Sequence, residues 1–222
     1  MKTKKRVLVI ALIAALIAII SLGSLAWFTD SDEVTNKFTV EQNFGIDVIE
    51  TDDQGNVVAE GDVKTGMTFE NLMPGQKIHK DPTVNNTGDR PAYVRVQVTL
   101  TNGVKWMNIM AANGYDKVDL ADFFGGFDPA KWTGNGAPVV GPAGLFSQEP
   151  IPCTWTFYLN EPLEAGQLAT LFTDITIPGS LTVDQAKTLA NGFDITIKAD
   201  AIQSEFLPDT VKTAQDAFAL LK

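Results

Sequence analysis

A chain of 222 residues with 45% hydrophobic and 20% charged content can bury one sizeable core and lacks the composition of a disordered protein. Its net charge is −10; the first 26 residues hold four cations (Lys2, Lys4, Lys5, Arg6) and no acid, so the remainder carries 13 cations against 27 acids, or −14. A body that acidic repels nucleic acid and anionic lipid, which argues against both as partners.

The N-terminus reads as an export signal. Residues 2–6 are a positive n-region, an apolar run follows from Val7 to about Leu22, and Ser24-Leu25-Ala26 sets small residues at the −3 and −1 positions of a signal-peptidase site. Cleavage is expected after Ala26, so that the mature chain starts at Trp27. With Trp27 and Phe28 the apolar run reaches about 20 residues, enough to span a bilayer, so an uncleaved anchor is the alternative. The positive flank keeps the N-terminus inside and puts the body outside in both cases. Membrane contact is expected only through the uncleaved signal.

Residues 27–37 are polar apart from their leading aromatics and form an exposed arm, with Asp30, Asp32 and Glu33 clustered. From Phe38 to Glu50 apolar residues alternate (Phe44, Ile46, Val48), the period of a half-buried strand. Thr51–Asn56 is a turn, with a short return strand from Val57 to Glu60. Pro74-Gly75 marks a type II turn within Asn71–Gln76. Lys77 to Val84 is extended, and Asn85–Asp89 is a third turn. Tyr93 to Thr101 is the clearest strand, with Val94, Val96, Val98 and Leu100 on one face and Arg95, Gln97 and Thr99 on the other.

Residues 102–150 are rich in glycine and proline and read as an insertion with one or two short helices. Strand signals resume at Thr154–Leu159, with Trp155 and Phe157 on one face, and at Leu168–Ile177. Thr182 caps a short helix to about Ala190, with Gln185 at the capping-box position. Phe193–Ile202 alternates, and Asp209–Leu221 has helical spacing. Seven or eight short strands between turns predict an all-β fold, a jelly-roll-like antiparallel β-sandwich over residues 38–208 with a helix-containing insertion and a short C-terminal helix (209–222).

The common catalytic patterns are missing. There is one histidine, His79, so no zinc-protease His pair exists, and no Gly-x-Ser-x-Gly elbow or phosphate-binding loop appears. Cys153, the single cysteine, cannot make an internal disulfide and reads as a small buried hydrophobe beside Trp155. His79 reads as a surface or strand-edge residue. The acids of Asp52–Asn56 lack the ligand register of a calcium loop. No catalytic residue, metal site or cofactor is expected, and the protein is not expected to be an enzyme.

Several landmarks in order resemble one family. Leu25-Ala26-Trp27-Phe28-Thr29-Asp30 closes the signal, and Asn36–Val40 and Ile46-Asp47-Val48 follow. Next come Asn71-Leu72-Met73-Pro74-Gly75-Gln76-Lys77 with Lys80-Asp81, Asn85-Asn86-Thr87-Gly88 leading into Tyr93-Val94-Arg95-Val96, and finally Ile195–Gln203. The chain resembles the TasA/camelysin family of Gram-positive bacteria over half to two-thirds of its length; residues 102–150 and the C-terminal helix have no counterpart. The resemblance implies a secreted jelly-roll protein, cut by a SipW-type signal peptidase, that assembles into fibres of the biofilm matrix or cell surface. It also implies a homopolymer built by strand donation, the N-terminal arm of one subunit completing the sheet of the next. The arm residues that carry this are Trp27, Phe28, Thr29, Asp30 and Val34. Two alternatives differ in class: an adhesin or binding module using Phe123, Phe127 and Trp132 of the insertion, and a camelysin-like metallopeptidase, for which no ligand set is recognisable.

Overall fold

A computed structural model describes residues 44–59, 73–114, 123–136, 138–140, 150–190 and 194–221, all within the unit Gln42–Lys222. The elements in chain order are β1 (Ile46–Thr51), β2 (Val57–Ala59), β3 (Lys77–His79), β4 (Thr83–Asn86), β5 (Ala92–Leu100), α1 (Gly103–Ala112), β6 (Phe124–Gly125), β7 (Trp132–Gly134), β8 (Val139–Val140), β9 (Cys153–Leu159), β10 (Leu168–Thr170), β11 (Asp174–Thr176), α2 (Val183–Ala190), β12 (Ile195–Gln203) and α3 (Ala214–Ala219). Every strand pairing among them is antiparallel. The all-β sandwich expected from the strand pattern is what the chain forms.

The alternation of Val94, Val96, Val98 and Leu100 puts one face of β5 inward, and these four side chains are buried to 2% exposure or less. β5 is central in the sheet β12-β5-β9-β7, with β8 also on β9. It pairs with β12 from Ile195↔Leu100 to Gln203↔Ala92 and with β9 from Arg95↔Tyr158 to Leu100↔Cys153. In β9 the odd positions Cys153, Trp155, Phe157 and Leu159 point inward.

The opposing layer consists of β10-β4-β1-β2 and β3-β11-β6. β3 and β4 are two parts of one bent segment, as are β10 and β11. Pro82 has no N–H for the ladder, but its carbonyl accepts from Leu171 N at 3.0 Å, and Lys80 N donates to Thr173 O at 3.3 Å, so the two bent segments stay joined across their kinks. One hydrophobic core fills the space between the layers, from Ile78, Val84 and Ile175 on one side to Val96, Trp155 and Phe157 on the other.

Local chemistry explains the turns. Gly75 sits at φ +81° while Gln76 N donates to Met73 O at 3.0 Å, the type II geometry that Pro74-Gly75 encodes. Thr182 and Gln185 exchange hydrogen bonds of 2.8 and 3.2 Å at the start of α2, closing the expected capping box. Gly103 opens α1 against β9, and a Cβ there would lie 2.3 Å from Cys153 Cβ, so the helix approaches the strand only as glycine.

Three details differ from the sequence expectation. The stretch 102–150 holds a helix, but β6 also pairs with β11, and β7 and β8 with β9, so this stretch supplies strands to both layers. Residues 168–177 form two strands, because Leu171 and Phe172 turn fully into the core between them. The last helix starts at Ala214, where Thr213 and Asp216 form a capping box, not at Asp209. That local bonding outweighs the looser apolar spacing upstream.

Candidate functional site

The residues expected to mark processing and assembly, Ala26, Trp27, Phe28, Thr29, Asp30 and Val34, lie outside the described residues. Strand donation would also require an outer strand edge, and the longest outer strand among the described residues is β12. β12 runs for nine residues and has β5 as its one strand partner among the described residues. An outer strand leaves alternate N–H and C=O groups without ladder bonds on that side, which is what a donated strand pairs with. Ile195, Ile197 and Ala199, the inward-facing residues of β12, pack on the core but stay only half-buried.

Charge does not close this edge. Lys198 is exposed, and a lysine on an edge strand ordinarily discourages pairing. Here its Nζ lies 3.0 Å from Asp200 Oδ1, and Asp200 Oδ2 takes Arg95 Nη2 at 2.6 Å. Partial burial works to raise the Asp200 pKa, but the hydrogen bonds from Arg95 and Lys198 outweigh it and hold the carboxyl below its ordinary value.

The outer face of this sheet carries α3. Tyr93, Val211, Ala214, Ala217 and Phe218 make a second, smaller core there, with Tyr158, Ile202 and Leu207 at its margin. Arg95 stacks over the Phe218 ring at 4.3 Å. The helix thus packs on the outer face of β5 and β9 and meets β12 at Ile202, while β1 of the other layer lies close beside β12 without a ladder between them.

A polar cluster lies at the bend of the other layer. Lys80 Nζ is 2.5 Å from Glu50 Oε1, and both side chains are less than a tenth exposed. Asp81 accepts from Thr51 N and from Thr51 Oγ1, each at 2.6 Å. His79 Nε2 is 3.1 Å from the same hydroxyl and 3.7 Å from Asp81 Oδ1. Asp174 holds Lys77 Nζ at 3.0 Å. Asp53, Lys77, His79, Thr173 and Asp174 line a recess of about 370 Å³. The cluster ties β1 to the β3–β4 bend; because Thr51 gives its proton to Asp81, the hydroxyl is not set up as a nucleophile activated by His79. Among the described residues no three of His, Cys, Asp and Glu converge as a metal site would require. Cys153 is buried as expected, with its thiol donating to Met107 Sδ at 3.6 Å, and burial raises its pKa.

The insertion aromatics pack toward the core. Phe123 and Trp132 are 3% and 1% exposed, and Phe127 packs against Phe157. Trp132 Nε1 donates to Thr170 O at 2.9 Å. Phe123 and Trp132 are thus core side chains, and Phe127 is half-buried against the same core.

Two residues that the sequence does not single out matter here. Asn86, read as part of a turn, is fully buried at the end of β4; its Nδ2 donates to Arg90 O and Leu163 O, both at 2.8 Å, and its Oδ1 accepts from Gly88 N at 3.0 Å. Phe206, three residues beyond β12, is 90% exposed and holds φ +61°.

The class defined by this architecture is an antiparallel β-sandwich with a long outer strand. No family model matches the chain, and no curated protein and no solved structure matches it.

Proposed function

We propose that the protein is a secreted structural protein of the cell surface or biofilm matrix, of the TasA/camelysin type, whose processed form polymerises by strand donation. The arm at residues 27–36 of one copy adds to the outer edge of β12 of the next. The observation that carries this reading is β12 itself: nine residues of outer strand, paired on one side among the described residues, with inward side chains still half-buried. A neighbour's strand would satisfy the outward backbone groups and cover Ile195, Ile197 and Ala199. Donor and acceptor are different surfaces of the same chain, so the contact is heterologous and need not close, and repetition gives a filament. Removal of the signal by a SipW-type peptidase would free the arm and start assembly.

The test compares the processed chain beginning at Trp27 with one beginning at Lys37, by electron microscopy and sedimentation. Fibres are expected from the first and monomers from the second. Equal polymerisation of both, or a processed chain that stays monomeric at high concentration, would defeat the reading.

A further inference from the structure

We propose that Asn135, in the turn between β7 and β8, is a site of spontaneous chemical modification, where the side-chain amide cyclises onto Gly136 N, releases ammonia and is opened by water to aspartate and isoaspartate. The sequence holds four Asn-Gly pairs, at 102–103, 113–114, 135–136 and 191–192. A glycine after asparagine leaves the attacking nitrogen unhindered by a Cβ and its peptide free to take unusual angles, so all four have the composition this reaction needs. The last pair lies outside the described residues. The fold separates the other three. Ring closure requires that the asparagine side chain can turn. It also requires that the following peptide can swing about the Cα–C bond until the glycine nitrogen faces Cγ, which is the geometry of an intramolecular attack.

Asn113 is held on both counts. Its Nδ2 donates to Ile109 O at 2.8 Å, and Gly114 N donates to Ala111 O at 3.1 Å at the end of α1. Asn102 is held by its surroundings. Its carbonyl accepts from Trp106 N at 3.1 Å as α1 begins. Gly103 is buried so closely against β9 that a Cβ there would lie 2.3 Å from Cys153 Cβ, and the 102–103 peptide has no room to rotate. Asn135 is the opposite case. It is exposed, and so is Gly136, which holds φ +74° and would carry a Cβ with no atom beyond its chain neighbours within 4 Å. Asn135 N donates to Thr156 O at 2.8 Å, which anchors the chain upstream of the reacting bond. Among the described residues neither the Asn135 side-chain amide nor Gly136 N–H has a hydrogen-bond partner. The two reacting groups are the two that this turn leaves loose.

In the reaction the bond from Gly136 N to Asn135 Cγ forms, the Cγ–Nδ2 bond breaks, and ammonia leaves with the proton of Gly136 N. Water then opens the ring at either carbonyl. Opening between Cγ and the nitrogen restores the main chain and leaves aspartate. Opening at the main-chain carbonyl carries the chain through the side chain and adds a methylene between β7 and β8, which are seated separately on β9 through Gly134↔Phe157 and Val139↔Thr154. Either product puts a new carboxylate at the end of the sheet.

The full chain is kept folded in warm, mildly alkaline buffer, with a parallel sample in urea. Both are sampled over time, digested and read peptide by peptide by mass spectrometry after chromatography that resolves aspartate from isoaspartate. In the folded sample the Asn135 peptide is expected to convert first and to give both products, while the Asn102 and Asn113 peptides stay amides. In urea that lead is expected to vanish. An Asn135 peptide that stays an amide in the folded chain, or an Asn102 or Asn113 peptide that converts as fast, overturns the proposal. So does a lead of Asn135 that persists unchanged in urea, because the fold then plays no part. Asn135→Ser is expected to leave the urea midpoint of the folded chain unchanged, since the side chain it replaces is exposed and makes no hydrogen bond. A lowered midpoint would mean that the amide is held in place, and overturns the proposal as well.

Discussion

β5 and β12 are both nine-residue strands, paired with each other along their full length, and both alternate. In β5 the inward residues Val94, Val96 and Val98 are 0–1% exposed; across the same ladder Ile197 and Ala199 remain half-buried. Among the described residues, one strand has ladder partners on both sides and the other on one. The periodicity that creates a strand is thus equally strong at the centre and at the rim, and a neighbour's position decides which strand can take a new partner.

The largest break in this comparison comes from a charge. Val98→Asp puts a carboxylate in the core with no partner and is expected to cost more than about 4 kcal/mol or prevent folding. Ile197→Asp, directly across the ladder, is expected to cost only about 1–2 kcal/mol, because its side chain can reach water. Urea unfolding of the dispersed processed chain measures both, and equal losses would mean that the rim is as closed as the centre.

Ion pairs repeat the contrast. Lys80 and Glu50 are paired inside the protein, whereas Arg95 and Asp200 link the centre to the rim with about a quarter of each side chain exposed. Lys80→Met strands a buried carboxylate and is expected to cost about 3–5 kcal/mol, most of it recovered when Glu50→Leu is added. Asp200→Asn is expected to cost about 1 kcal/mol or less, because solvent screens the pair. A double-mutant cycle at each pair gives the two coupling energies to compare.

The smallest effect is acid dependence at the rim. The Asp200 pKa is lowered in the folded state, so the stabilisation is present above the ordinary carboxylate value of about 4 and is lost as pH falls through and below it. Asp216 behaves in the same sense, held low by hydrogen bonds from Lys212 N and the Thr213 side chain in the α3 capping box. Asp200→Asn should flatten the part of the acid limb due to the β5–β12 pair, read from urea midpoints between pH 3 and pH 6 (about one unit below and two above the ordinary value). An unchanged slope would remove Asp200 from the account.

Much of the sandwich could be read from period two alone: β5, β9 and β12 stand within a residue or two of their expected positions, and the Pro74-Gly75 turn and the Thr182 cap lie where their chemistry puts them. The segment from Gly103 to Val140 was harder to read, because β6, β7 and β8 have two or three residues each, too few for an alternation to show. Asn86 was hidden for another reason. Asn-Asn-Thr-Gly is turn chemistry, and the burial of its second asparagine depends on the carbonyl of Leu163, 77 residues away. For the proposed assembly, the sequence offers a candidate donor, an aromatic-tipped arm after an expected export signal, and says nothing about which strand edge would receive it.

The sequence by itself determined the all-β class, the faces of the long strands and the local caps and turns, because those follow from side-chain period and from bonds between residues a few positions apart. Only the tertiary structure decided that β12 ends its sheet among the described residues, that Lys80 meets Glu50 and that Phe206 stands exposed on a strained backbone. Each of these depends on which distant segments pack together, and adjacency of that kind leaves no local pattern in the chain.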